Sequence, residues 1–202
     1  MVQQKRSERR NRKKRMVQEK VRKLDVPASP EELSLLKAGD VVSLSGCILT
    51  GRDAAHERMM EYLDKGIALP FDIKNQGIYY TGPCPAAPGK IIGSCGPTTS
   101  SRMDRYTPRL LDLGLKIMIG KGQRSPEVID AMVRNGAVYL AAVGGAGALL
   151  AQCVKKAQVI AFDDLGPEAV YRLEVKNFPL IVAIDAQGNN LYDIGPRQYR
   201  QL

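Results

Sequence analysis

The sequence predicts an α/β domain whose sheets are mixed, not purely parallel. Two patterns carry that reading. Between residues 116 and 162 short β-branched runs alternate with helical segments, and near residue 187 two apolar runs flank a turn as an antiparallel hairpin. A third observation sets the scale: 202 residues, 44% hydrophobic and 25% charged, can bury a real core and suit one domain with an appendage.

Taken in order, Ser29-Pro30-Glu31-Glu32 opens a helix, with Ser29 as cap, Pro30 in the first turn and Glu32 completing a capping box. Gly39-Asp40 turns the chain into an apolar strand over Val41–Leu49. Residues 53–64 read as a helix with Ala55, Met59, Met60 and Leu63 on one side. A Gly- and Pro-rich stretch follows from Pro70 to Gly89, with short strands expected at Ile78–Thr81 and Lys90–Ser94. Arg102–Leu113 reads as a helix entered or broken near Pro108, and Lys116–Ile119 as a strand. Ser125-Pro126-Glu127 opens a helix that stops at Asn135-Gly136. Next come a strand at Val138–Val143, a helix at Ala146–Lys155 and a strand at Val159–Phe162. Leu180–Asp185 and Asn190–Ile194 form the expected terminal hairpin.

The formal net charge of +9 suggests nucleic acid until it is located. Residues 1–24 hold eleven Lys and Arg against Glu8 and Glu19, so residues 25–202 are neutral. The excess is a tail, not a face of the fold. The sequence therefore divides into a basic extension, 1–24, expected to be disordered, and one domain, 25–202. Met16-Val17-Gln18 nearly repeats Met1-Val2-Gln3, which makes Met16 a candidate start. No run approaches the roughly 18 apolar residues of a membrane span, and no apolar leader opens the chain, so a cytoplasmic protein is expected.

Familiar nucleotide and metal motifs fail. Gly120-Lys121-Gly122 lacks the upstream glycine of a phosphate loop, and Gly122 stands where Ser or Thr would meet magnesium. Gly144-Gly145-Ala146-Gly147 is followed by Leu150 where a dinucleotide loop needs a small residue, so tight packing explains it better. His56 is the single histidine. Cys47, Cys84, Cys95 and Cys153 are too scattered for zinc or iron–sulfur spacing, and Cys47, Cys95 and Cys153 read as packing residues. No metal ligand is assigned to this chain.

Three polar clusters survive, each after a predicted strand: Thr50-Gly51-Arg52-Asp53-Ala54-Ala55-His56, Gly96-Pro97-Thr98-Thr99-Ser100-Ser101-Arg102-Met103-Asp104, and Gly120-Lys121-Gly122. Sites in α/β sheets gather at the carboxyl ends of strands. Two arginines and a lysine, with hydroxyls between them, suit a small dicarboxylate, because a guanidinium grips a carboxylate with two parallel hydrogen bonds. The bland alternatives are that Arg52 pairs with Glu57, Thr98 caps a helix and Lys121 is a loop lysine. Spacing alone does not show that the clusters meet.

These blocks, with Ile119 before Gly120, resemble the β subunit, or C-terminal domain, of class I fumarases and L-tartrate dehydratases, over roughly residues 30–200. The resemblance implies a swivelling β/β/α domain acting as half of a hydro-lyase, for which hydration of fumarate to L-malate, a tricarboxylic acid cycle reaction, is the first reading. It implies a partner α subunit carrying a 4Fe–4S cluster on three cysteines, in a heterotetramer of two α and two β chains. It implies that Arg52, Arg102 and Lys121 hold substrate carboxylates and that Thr98 lies at the carbon exchanging a proton. Asp53, His56 and Thr99 stand behind them, with Asp53 orienting Arg52. L-Tartrate dehydration is the alternative within the class. A non-catalytic module with an RNA-binding basic tail is the alternative outside it.

Overall fold

The computed structural model describes residues 21–197; of the extension expected over residues 1–24, residues 1–20 lie outside them. Strands β1 (Arg22–Val26), β2 (Val41–Thr50), β3 (Gly77–Tyr79), β4 (Ile117–Gly120), β5 (Val138–Ala141), β6 (Val154–Ala161) and β7 (Val170–Ile184) form one sheet. Helices α1 (Pro30–Ser34), α2 (Asp53–Asp64), α3 (Thr107–Asp112), α4 (Pro126–Asn135), α5 (Gly147–Cys153) and α6 (Leu191–Arg197) connect or follow them. The fold is mixed α/β, as the sequence predicts.

Five strands close on themselves. β2, β3, β4 and β5 pair in parallel, while β7 runs antiparallel to both β5 and β2 and seals the ring. β1 and β6 flank it, β1 parallel to β2 and β6 antiparallel to β7. β7 can do this because it changes neighbours along its length: residues 170–175 pair with β6, residues 181–184 pair with β5, and β2 lies against both halves.

Side chains alternate across a strand, so each ring strand serves two cores. Ile117, Ile119, Val138 and Leu140 point to one cluster with Leu44, Ile48, Phe178 and Val182. Met118, Tyr139 and Ile78, between them in sequence, join a second cluster with Met59 of α2, Leu110 and Leu111 of α3, and Val128 and Met132 of α4. The parallel strands therefore present all four carboxyl ends to one mouth, with α2, α3 and α4 packed on one side of the sheet.

The capping box at α1 forms as predicted: Ser29 Oγ accepts from the Glu32 amide at 3.2 Å, and Glu32 Oε2 accepts from the Ser29 amide at 2.9 Å. Several expectations are corrected. Arg22, Lys23 and Leu24, placed in the basic extension, belong to β1. Lys90–Ser94 is not a strand; the chain doubles back there, with the Cys84 amide donating to Ser94 O and the Gly93 amide to Cys84 O. Residues 102–113 split into a 3-10 turn, Ser100–Met103, and α3. β6 begins at Val154, where a helix was expected to continue, and β7 carries 15 residues of which only the last stretch was read as strand.

The terminal hairpin is also absent. Only Ile184 and Asn190 bridge. Asp185 instead gathers the turn, accepting the Gln187 and Asn189 amides at 3.0 Å each, and α6 follows. Cys47 is exposed rather than packed, because alternation along β2 buries Val42, Leu44 and Ile48 on one face and turns Cys47 to the other. Among the described residues no helix is long and apolar enough to cross a membrane.

Candidate functional site

The three polar clusters do meet. Arg52 and Asp53 follow β2, Lys121 follows β4, and the long segment after β3 returns beside β4 before its 3-10 turn. That return uses the main chain. The Thr98 amide donates to Tyr80 O at 2.7 Å, the Lys121 amide donates to Thr98 O at 3.3 Å, and the Ser100 amide donates to Lys121 O at 2.8 Å. Thr98 is half-buried, and Thr99 and Lys121 are exposed. The Lys121 side chain lies over Gly144 after β5, where a Cβ would come within 3.9 Å of Nζ.

Arg102 joins the other side. Its Nε donates to Asp53 Oδ1 at 2.9 Å, and its Nη2 lies 2.7 Å from Asp53 Oδ2 as an ion-pair contact without hydrogen-bond geometry, a link across 49 residues of sequence. One of five guanidinium hydrogens is used in a hydrogen bond, leaving the outer edge of Arg102 for a ligand. Asp53 therefore orients chiefly Arg102; Arg52 Nε approaches Asp53 Oδ2 only to 3.5 Å. The closer partner of Arg52 is Glu168, with Nη2 to Oε1 at 3.3 Å, and not Glu57. Glu168 Oε2 also accepts the Ala54 amide at 3.0 Å, closing the N-terminus of α2. The Arg52 side chain runs across Gly82, where a Cβ would lie 2.9 Å from its Cδ.

His56 sits beneath this group, fully buried, with Tyr80 edge-on at 5.4 Å and Tyr106 at 5.8 Å. Its Nδ1 is 2.9 Å from Arg52 O. A carbonyl only accepts, so Nδ1 carries the proton and Nε2 is left bare and unpartnered. Burial lowers its pKa to about 4, so the ring is neutral at pH 7. His56 fixes the Arg52 carbonyl and carries no charge into the mouth.

Sequence reasoning missed Glu168, which lies 116 residues from Arg52 with no motif around it. It also missed Arg124, whose side chain is fully buried against Asp104. Gly147, read as strand-to-helix packing, is instead where the Ser94–Gly96 loop presses on α5: a Cβ there would sit 2.5 Å from Ser94 Oγ. Beyond that loop a groove of about 650 Å³ opens between residues 85–94 and α5, with Ile91, Ile92, Ala148 and Ala151 in its lining. Ile91 is more than half exposed there.

Among the described residues no group of three or more His, Cys, Asp or Glu is placed to hold a metal ion. Cys47 and Cys84 are exposed, and Cys95 is buried with its thiol pushed up to about 11 by burial. The mouth offers two arginines, a lysine and hydroxyls, held by two carboxylates. It suits a small polyanion.

Comparison with known proteins agrees with that arrangement. Residues 1–195 match the family described as Fumarase C-terminus. The chain is 40% identical over 164 residues to "Fumarate hydratase class I, aerobic" of Salmonella typhimurium, covering 80% of this chain and 28% of that one. It is 40% identical over 164 residues to "Fumarate hydratase 2" of Leishmania major, covering 80% and 29%. It is 41% identical over 179 residues to "Putative L(+)-tartrate dehydratase subunit beta" of Methanocaldococcus jannaschii, covering 85% of this chain and 92% of that one. It thus spans under a third of the fumarate hydratases and nearly all of the separate subunit. By sequence, and with the fold and clusters that the resemblance led one to expect, the chain belongs to the fumarase C-terminal family.

Proposed function

We propose that this chain is the β subunit of a class I fumarate hydratase, a hydro-lyase that interconverts fumarate and L-malate at a site shared with an α subunit. The observation that carries the reading is the convergence of Arg52, Arg102, Thr98 and Lys121 at one mouth in a chain matching a separate β subunit almost end to end. Arg102 offers its free edge to one carboxylate, Lys121 a mobile point charge to the other, and Arg52 adds charge between them. Such fixed cations stabilise the charge that builds on a carboxylate as the adjacent carbon loses its proton. Thr98 holds or moves that proton at its hydroxyl, which needs an acidic neighbour from the partner because threonine is a poor base. Asp53, His56 and Thr99 position these groups.

The cysteines of this chain do not fit an iron–sulfur cluster, being spread over exposed and buried positions without a third ligand in reach. The 4Fe–4S cluster belongs on the α subunit, in an assembly of two α and two β chains. All four cysteines of this chain are free thiols, which accords with a reducing, cytoplasmic setting. The groove beside α5, with exposed Ile91 in its lining, is the surface offered to the partner.

L-Tartrate dehydration is the second reading, favoured by the name of the archaeal relative of matching length. Anaerobic reconstitution with the partner tests both. Fumarate hydration by the complex, and none by this chain alone, is the expected result. Turnover by the metal-free chain alone would overturn the shared site, and turnover of L-tartrate but not fumarate would select the alternative.

A further inference from the structure

Behind the mouth lies a buried polar network that the reading above does not use. The Arg124 guanidinium is enclosed between the rings of Tyr80 and Tyr139, 5.3 and 5.2 Å from their centroids. Its Nε donates to Asp104 Oδ1 at 2.6 Å and its Nη2 to Thr107 Oγ1 at 2.8 Å. The Thr107 hydroxyl donates onward to Met103 O at 2.9 Å. Asp104 Oδ2 accepts the Ser125 amide at 2.7 Å. Arg124 and Ser125 thus tie the segment after Lys121 to the C-terminal side of the 3-10 turn that carries Arg102.

A second tie runs through Tyr139. Its hydroxyl lies 3.0 Å from Gly122 O and 2.8 Å from Ser100 Oγ. A carbonyl cannot donate, so the tyrosine proton goes to Gly122 and the Ser100 hydroxyl donates to Tyr139. Burial holds the phenol protonated by raising its pKa. One end of this tie is next to Lys121 and the other is two residues before Arg102. At Gly120 a Cβ would come within 2.1 Å of Ser100 Oγ, so the glycine makes room for it.

We infer that Arg124 and Tyr139 are positioning residues, a buried brace that holds the Arg102 and Lys121 loops at one spacing and so sets the length of dicarboxylate the mouth accepts. The inference rests on those two cations being the carboxylate ligands. Neither brace residue needs to reach the ligand: Arg124 spends its hydrogens on Asp104 and Thr107, and Tyr139 is closed off by Ser100 and Gly122. Two charges on independent loops would lose affinity to the ordering each requires, and would tolerate several ligand lengths. Braced together, they favour one.

The test uses the complex with the partner subunit, measuring succinate and glutarate binding by calorimetry and recording fumarate turnover alongside. Tyr139→Phe keeps the ring beside Arg124 and removes both hydrogen bonds. Arg124→Lys keeps the charge toward Asp104 and loses the second edge toward Thr107. Each should weaken succinate about tenfold but glutarate less than about threefold, narrowing the preference for the four-carbon acid. A role limited to folding would lower the melting temperature and leave that preference unchanged. If both variants bind both acids within twofold of the unsubstituted complex, the brace has no positioning role. An unsubstituted complex that binds succinate without turning over fumarate would sink the hydratase reading alone, the shift in preference still deciding the brace. No succinate binding at all would overturn both.

Discussion

The two sides of the mouth are held by different means. Around Arg52 and Arg102 the side chains hold one another: Asp53 pairs with Arg102 through one hydrogen bond and a close ion-pair contact, Glu168 takes Arg52, and neutral His56 fixes the Arg52 carbonyl. Around Thr98 and Lys121 the main chain does the holding, through Tyr80 O, Thr98 O and Lys121 O. The first side fixes the direction of positive charge at the cost of occupying part of it. The second leaves a hydroxyl and an ammonium uncommitted. In the function proposed above, binding and orientation would fall to the first side and proton movement and adjustable charge to the second, and the difference can be broken one residue at a time.

The largest effect should come from the uncommitted side. Thr98→Val keeps the side-chain shape and removes the hydroxyl, while the backbone bonds that place it remain. Loss of a proton-transfer group costs about 10²- to 10⁴-fold, so kcat should fall by that order with KM nearly unchanged. Steady-state kinetics of the complex would show it. Unchanged kcat would strip Thr98 of its catalytic role and leave the family assignment intact.

His56 tests the committed side through stability. Its pKa is about 4 folded and 6.5 unfolded. Between those values the unfolded chain takes up a proton that the folded one refuses, so its contribution is intact above pH 6.5 and is lost as pH falls toward 4. The full loss is about 3 kcal/mol. His56→Asn can still donate toward Arg52 O but cannot titrate. Urea unfolding followed from pH 7 to 4.5 should therefore show a flatter decline in the variant. Equal slopes would mean that His56 is solvated and protonates in place.

Much of this was legible in sequence, and the failures share a cause. The capping box at Ser29, the helix at 53–64 and the strands before the first and third polar clusters were readable because their signals are local. β1 was hidden because Arg22 and Lys23 look like the basic tail that precedes them, yet their strand pairs with the buried register of β2. β7 was hidden by Asn177 and Pro179, breakers by composition, which the sheet accommodates with a positive φ of 54° at Asn177. The cationic residues carried a family signature. Glu168, Arg124 and Tyr139 carried none, because an ion pair or hydroxyl tie closed by the ring has no spacing to read.

Arg102→Lys probes the grip itself. It keeps one charge but cannot satisfy both Asp53 oxygens while offering a planar edge to a ligand. A charge-assisted hydrogen bond is worth about 1.5–3 kcal/mol, so dicarboxylate affinity should fall roughly 10- to 150-fold, with a smaller change in kcat. Binding titrations against the unsubstituted complex decide it. A fall in kcat alone would move Arg102 from holding the substrate to acting in its transition state.

The smallest effects distinguish the two carboxylates that do the orienting. Asp53 meets Arg102 at 2.9 and 2.7 Å, whereas Glu168 meets Arg52 through one contact of 3.3 Å, both partners about a quarter exposed. A partly exposed pair of that kind contributes about 0.2–1 kcal/mol, so Glu168→Gln should weaken dicarboxylate binding by no more than about fivefold. The glutamine oxygen can still accept the Ala54 amide, which keeps the start of α2 capped. Asp53→Asn loses the close ion pair and brings an N–H toward Arg102, so its penalty should exceed that of Glu168→Gln. Both variants raise the net positive charge of the mouth by one, so attraction of a dianion changes in the same direction in each, and the difference between them reports orientation. The reverse order, with Glu168→Gln the more damaging, would make Arg52 rather than Arg102 the principal carboxylate ligand.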